Sequence, residues 1–139
     1  MEMPVSILQH ARPETRLPAA DLERARRWYE EKLGISPAET RDGGLLYRLD
    51  GGVFCLFASQ GASVGAFTQL ALNVDDIDAV VAELRDRGVR FEQLDLPGFR
   101  TVNDIVDVDG NYPSKGSRER GAFFRDSENN MIAIGQSLP

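Results

Sequence analysis

The sequence predicts an α+β fold in which one βαβββ module is used twice. Three observations predict it. Residues 14–34 read as a strand running into a capped helix that stops at a glycine, and residues 69–88 repeat that grammar. Short runs of alternating apolar and polar residues follow each helix, the period of a half-buried strand. At 139 residues the chain has the length of one domain with a core of its own. Residues 12–60 and 66–139 are therefore read as two modules of a single domain spanning 1–139.

Composition narrows the class. A hydrophobic share of 42% and a charged share of 27% are those of an ordinary globular protein. No apolar run approaches the roughly 20 residues that cross a bilayer, so no membrane partner is expected. The N-terminus has neither the basic region nor the apolar stretch of a secretory signal. The lone Cys55 excludes an internal disulfide and fits a reducing compartment, so a cytoplasmic location is expected. A net charge of −6 offers no basic stripe for phosphates, so nucleic acid is not an expected partner. The same field favours a cationic ligand.

The elements follow in order. Residues 1–13 hold two prolines and no periodicity, and read as an arm that carries the only histidine, His10. Thr15, Leu17 and Ala19 alternate with Glu14, Arg16 and Pro18; Pro18 lacks a donor, which places this strand at an edge or near a sheet end. Asp21 is a side-chain acceptor for the first turn of the next helix. Leu22, Ala25, Tyr29 and Leu33 give that helix one apolar face, and Gly34 ends it. Residues 37–41, 45–49 and 53–58 are strands separated by Asp42-Gly43-Gly44 and Asp50-Gly51-Gly52, both hairpin signals. Residues 59–65 link the modules.

In the second module, Leu70, Leu72 and Val74 alternate, Asp76 caps, and Ile77, Val80, Val81 and Leu84 form the helix stripe. Residues 90–95 are expected as a strand, 97–103 as a loop, 104–109 as a strand and 110–117 as a mobile polar loop. Residues 120–125 and 130–136 are strands around the turn Asp126-Ser127-Glu128-Asn129.

Three passages carry a resemblance to a known family. They are Asp21–Gly34 with its Trp28-Tyr29 pair, Val74-Asp-Asp-Ile-Asp78, and Phe124-Arg-Asp-Ser-Glu-Asn-Asn-Met-Ile132. In that order the chain resembles the vicinal oxygen chelate superfamily, which includes glyoxalase I, extradiol dioxygenases and bleomycin resistance proteins. The resemblance implies a curved, cup-shaped mixed sheet with helices outside, and a pairing of chains into a homodimer.

Strand alternation then selects the cup residues. If the larger apolar side chains face the helices, Glu14, Arg16, Cys55, Phe57, Phe67, Gln69 and Met131 face the ligand, with Ala71 and Ala133 beside them. That set combines apolar surface with a few orienting polar groups, as small-molecule sites do.

In metal-using members of the family, ligands come from the first and fourth strands of each module. Carried onto this chain, those slots fall on Glu14, Cys55, Gln69 and Ala133. Ala133 has no donor, an amide is a weaker donor than imidazole, and hard ions prefer oxygen to a thiol. No bound metal and no cofactor are therefore expected. Cys55 has apolar sequence neighbours and reads as a buried, inert core cysteine, with a reactive thiol as the alternative. Trp28 and Tyr29 read as packing residues, and Asn111, Tyr112, Lys115 and Arg118 as residues of a solvated loop, with closure over a ligand as the alternative. The function expected is sequestration of an apolar or cationic compound, such as an antibiotic, by a degenerate site. The alternative is a metal-dependent lyase, isomerase or dioxygenase with altered ligands, or a cofactor-free isomerase with Glu14 as general base.

Overall fold

The fold is seen in a computed structural model that describes residues 6–61, 63–109 and 117–139. After a 3₁₀ turn at Ile7–His10, β1 (Thr15–Ala19) leads into α1 (Leu22–Trp28). Asp21 Oδ1 accepts from the Arg24 N–H at 3.0 Å, the cap its position predicts. The helix then widens into a π-helical turn, Tyr29–Leu33, which Gly34 ends at φ 71°. Three strands complete the module: β2 (Glu39–Arg41), β3 (Gly44–Leu49) and β4 (Gly52–Ala58). Their sheet order is β1-β4-β3-β2. The β1–β4 pair is parallel and the hairpin pairs are antiparallel. Pro18 therefore sits on an edge strand, where its missing donor costs no ladder bond.

The second module repeats the plan with one insertion. It runs β5 (Thr68–Asn73), α2 (Ile77–Asp86), a small hairpin of β6 (Asp95–Leu96) and β7 (Phe99–Arg100), then β8 (Val106–Asp109), β9 (Arg118–Arg125) and β10 (Met131–Leu138). Its sheet order, β5-β10-β9-β8, matches that of the first. Asp76 caps α2 by accepting from the Ala79 N–H at 3.2 Å.

The region after α2 departs from expectation. Residues 90–95 do not form a strand; Phe91 makes only an isolated bridge to Phe124. Part of the expected loop is instead the β6–β7 hairpin. Gly98, at φ 78°, turns it, and Arg100 Nε reaches Asp95 Oδ1 at 3.0 Å across it. Of the expected polar loop, residues 110–116, with Asn111, Tyr112 and Lys115, lie outside the described residues. Arg118 opens β9.

One core joins the modules. Leu17, Tyr47, Phe54 and Leu56 of the first sheet and Phe124, Ile132 and Ile134 of the second belong to a single buried cluster. Tyr29 packs at 5.2 Å from Tyr47 and 6.1 Å from Phe54, and Trp28 stacks on Phe124 at 6.1 Å. Both aromatics on the first helix are therefore packing residues, as their spacing indicates. Each large side chain so buried contributes on the order of 2 kcal/mol.

The β9–β10 turn clamps the two modules together. Tyr29 Oη donates to Asp126 Oδ2 at 2.6 Å, Arg24 donates through Nε and Nη2 to Glu128 at 2.9 Å, and Asn130 Nδ2 donates to the Pro18 carbonyl at 3.0 Å. Asp126, Glu128 and Asn130 are all buried. Burial pushes the Asp126 carboxyl above its usual range. Burial also acts to raise Glu128, but the Arg24 guanidinium and the Asp21 N–H outweigh it and hold that carboxyl below its usual range. Among the described residues, no helix is long and apolar enough to cross a membrane.

Candidate functional site

Strand alternation builds the site on the first sheet. Phe54 and Leu56 of β4 point into the core at 2% and 0% exposure, so Val53, Cys55 and Phe57 face the other way. Arg16 lies opposite Cys55 in the β1–β4 ladder, and Glu14 stands just before β1. Cys55 Sγ–H donates to Glu14 Oε1 at 3.1 Å, and Arg16 Nε approaches the same oxygen at 3.4 Å. Two residues 41 positions apart, each expected on the cup face from alternation, are in contact.

Glu14, Arg16, Cys55 and Phe57 line a concavity of about 350 Å³. The β2–β3 hairpin supplies the rest of the wall, with Glu39, Arg41, Gly44 and Leu46. Sequence reasoning missed these four. The alternation of Leu45 and Tyr47 into the core carried the signal, because it leaves Gly44 and Leu46 on the open face. Charges in the concavity balance: Arg16 pairs with Glu14, and Arg41 Nη2 lies 3.5 Å from Glu39. Phe57 offers an aromatic surface at 37% exposure. Burial and the adjacent Glu14 carboxylate push the Cys55 thiol above its usual range. Cys55 is thus a half-buried, protonated thiol facing the concavity and not a core residue.

The second module's candidates do not line this concavity in the same chain. Met131 is half-buried on β10 and faces Thr68. Phe67 precedes β5 and is 68% exposed. Gln69 is held by its own module. The ladder pairs Met131 with Thr68 but Ile132 with Leu70, so Gln69 is the extra residue of a β-bulge. Its Nε2 donates to Asn130 Oδ1 at 3.0 Å, and its Oε1 accepts from the Met131 N–H at 3.3 Å and from Ser63 Oγ. The strict alternation that grouped Phe67, Gln69 and Ala71 is broken at this point. Ala133 sits opposite Phe123 in the β9–β10 ladder and brings no donor atom.

The donor set can be weighed for a metal. Among the described residues, no group of three or more His, Cys, Asp and Glu is placed to hold an ion. His10 is on the exposed 3₁₀ turn. The thiolate is the form of cysteine that binds metals, and Glu14 acts on Cys55 in the opposite sense. What the concavity supports directly is hydrogen bonding through Glu14 and the arginines, and apolar contact through Phe57 and Leu46.

The comparisons agree with this architecture. The model of the Glyoxalase/Bleomycin resistance protein/Dioxygenase superfamily matches residues 7–134. A glyoxalase/bleomycin resistance protein/dioxygenase from Alicyclobacillus acidocaldarius is similar in fold, with a TM-score of 0.69 at 17% identity over 94% of this chain and 93% of that one. A protein of the same description from Nocardioides gives 0.61 at 19% identity, over 92% and 85%. TnmS3, an antibiotic binding protein from Streptomyces sp. CB03234, is 25% identical over 99% of this chain and 100% of its own, with a TM-score of 0.58. No curated protein sequence matches the chain.

Proposed function

The chain belongs to the Glyoxalase/Bleomycin resistance protein/Dioxygenase superfamily, and on that premise we propose that it is a small-molecule binding protein that sequesters an apolar or cationic compound without changing a bond in it. The observation that carries this reading is the contact between Cys55 and Glu14 in a concavity walled by Phe57 and Leu46. A carboxylate that accepts a hydrogen bond from the thiol favours the protonated sulfur, which is a poor metal ligand. The other two chelating slots are an alanine and an amide already bonded to Asn130 and Ser63. The slots thus suit binding better than Lewis-acid catalysis, which needs an ion to stabilise an oxyanion. TnmS3 supports an antibiotic as the kind of compound bound.

The binding unit proposed is a homodimer. Within one chain, Phe67, Gln69 and Met131 do not line the concavity of Glu14 and Cys55. A second copy is proposed to close that concavity with its own second module, which would enclose a ligand that one chain leaves open.

Native mass spectrometry of freshly purified protein, with no chelator present, tests the reading. The expected spectrum shows a dimer without stoichiometric transition metal, and a mass increment when candidate antibiotics are added. Stoichiometric Zn, Ni, Mn or Fe would replace this reading with a metal-dependent lyase, isomerase or dioxygenase. A monomer that still binds the compound would sink the shared site alone.

A further inference from the structure

A second groove lies where the two modules meet, and it shares no lining residue with the concavity. β1 and β5 are each the edge strand of their sheet. They come close to one another with no ladder pairing between them. The gap at the Thr15 end of β1 is a cavity of about 540 Å³, within the size range of small-ligand sites.

Its walls have a definite chemistry. Leu49 and Val53 come from the β3–β4 hairpin, and Leu70, Leu72 and Val74 from the second module. All five are half-buried, so each keeps apolar surface in contact with solvent that a ligand would cover. Gly51 and Gly52 leave one side of the groove without side chains. Among the described residues, Asp50 is the only charged one in the lining, and it is exposed.

We infer that this groove is a binding site for a small hydrophobic amine, with the aliphatic body laid along Leu70 and Leu72 and the ammonium group at Asp50. A single carboxylate at the end of an aliphatic trough selects charge as well as length. An amine gains a charge-assisted hydrogen bond there, whereas a carboxylate of the same length meets repulsion. The net charge of −6 acts in the same direction. Because the walls come from both modules, an occupied groove ties the β3–β4 hairpin to β5.

Calorimetric titration with octylammonium and with octanoate, at neutral pH and below micellar concentrations, tests the site on the whole protein. Octylammonium is expected to bind once per chain, and octanoate several-fold more weakly. Asp50→Asn is expected to weaken octylammonium about fivefold, the scale of one solvent-exposed charge contact, and to leave octanoate unweakened. Gly51→Trp is expected to abolish amine binding by filling the trough. A Cβ at Gly51 meets nothing within 4 Å, so the substitution begins without a clash at the backbone, and circular dichroism checks that the variant is folded. The inference is overturned by equal affinity for the two probes, by Gly51→Trp binding as well as wild type, or by no binding at all. It is equally overturned if Phe57→Ala abolishes amine binding while Gly51→Trp leaves it, since the probe then sits in the concavity.

Discussion

The phenol of Tyr29 donates a 2.6 Å hydrogen bond to Asp126, joining the first helix to a turn 97 residues away. Asp126 also accepts from the Glu128 and Asn130 N–H groups, both at 2.8 Å, and from Asn130 Nδ2 at 2.9 Å. One carboxylate therefore orders the turn and attaches it to the other module. Tyr29→Phe removes one donor from a buried acceptor and is expected to destabilise by about 1.5 kcal/mol. Asp126→Ala strands four donors and is expected to cost about 3 kcal/mol or more. Urea unfolding of both variants checks the order; equal stability of Tyr29→Phe and wild type would show that the bond contributes nothing net.

Glu128 should make stability depend on pH in the acid range. Its carboxyl is held below the ordinary value of 4.5, so the unfolded chain takes up this proton first as pH falls. The stabilisation it brings is full above about that value and is lost as pH drops through the folded-state pKa. Asp126, raised by burial, works in the opposite sense, but it is present in both proteins of a comparison. Glu128→Gln is expected to be about 2 kcal/mol less stable than wild type near pH 6, an amount discounted for the half-exposed Arg24 partner. The gap should narrow steadily toward pH 3. A gap independent of pH would assign the cost to packing and not to charge.

How legible these features were depends on how far away their partners lie in the chain. Asp21, Asp76 and Gly34 act on their immediate neighbours, so composition and spacing located both helices. The Asp-Gly-Gly turns likewise located the first module's hairpins. Asp126, Glu128 and Asn130 sit in a turn whose polar sequence suggests solvent, yet they are buried, because their partners Tyr29, Arg24 and Pro18 are about a hundred residues away. The same holds in the site. Alternation puts Cys55 and Glu14 on one face without showing that they touch, and one extra residue at Gln69 breaks the pattern on β5, where no local signal marks a bulge. The β6–β7 hairpin straddles the end of the expected strand 90–95 and the start of the expected loop 97–103, because its strands are two residues each, too short for a period to register.

Glu14 should govern the chemistry of Cys55. Burial and the Glu14 carboxylate both raise the thiol above its ordinary 9.0, which lowers the thiolate fraction at neutral pH. Alkylation by iodoacetamide follows that fraction. Wild-type protein is expected to react slowly at pH 8, with a rate still climbing above pH 9. Glu14→Gln removes the negative charge and is expected to speed the reaction several-fold at pH 8, with the pH profile moved to lower values. An unchanged profile would mean that burial alone sets the thiol.

Tyr47 offers the opposite test to Tyr29. It is fully buried beneath the first helix, stacked on Phe54 at 5.0 Å and 9°. Its hydroxyl is buried with no hydrogen-bond partner among the described residues, and burial pushes its pKa up to about 12. Stranding a hydroxyl in the core costs on the order of 1–3 kcal/mol, and the ring itself supplies the packing. Tyr47→Phe keeps the stack and removes the stranded group, so it is expected to stabilise the protein by about 1 kcal/mol, read as a higher urea midpoint at unchanged slope. The two tyrosine rings lie 5.2 Å apart and undergo the same substitution. The sign differs because one hydroxyl has Asp126 and the other has no hydrogen-bond partner among the described residues; a loss of stability in Tyr47→Phe would mean that its hydroxyl is satisfied in solution.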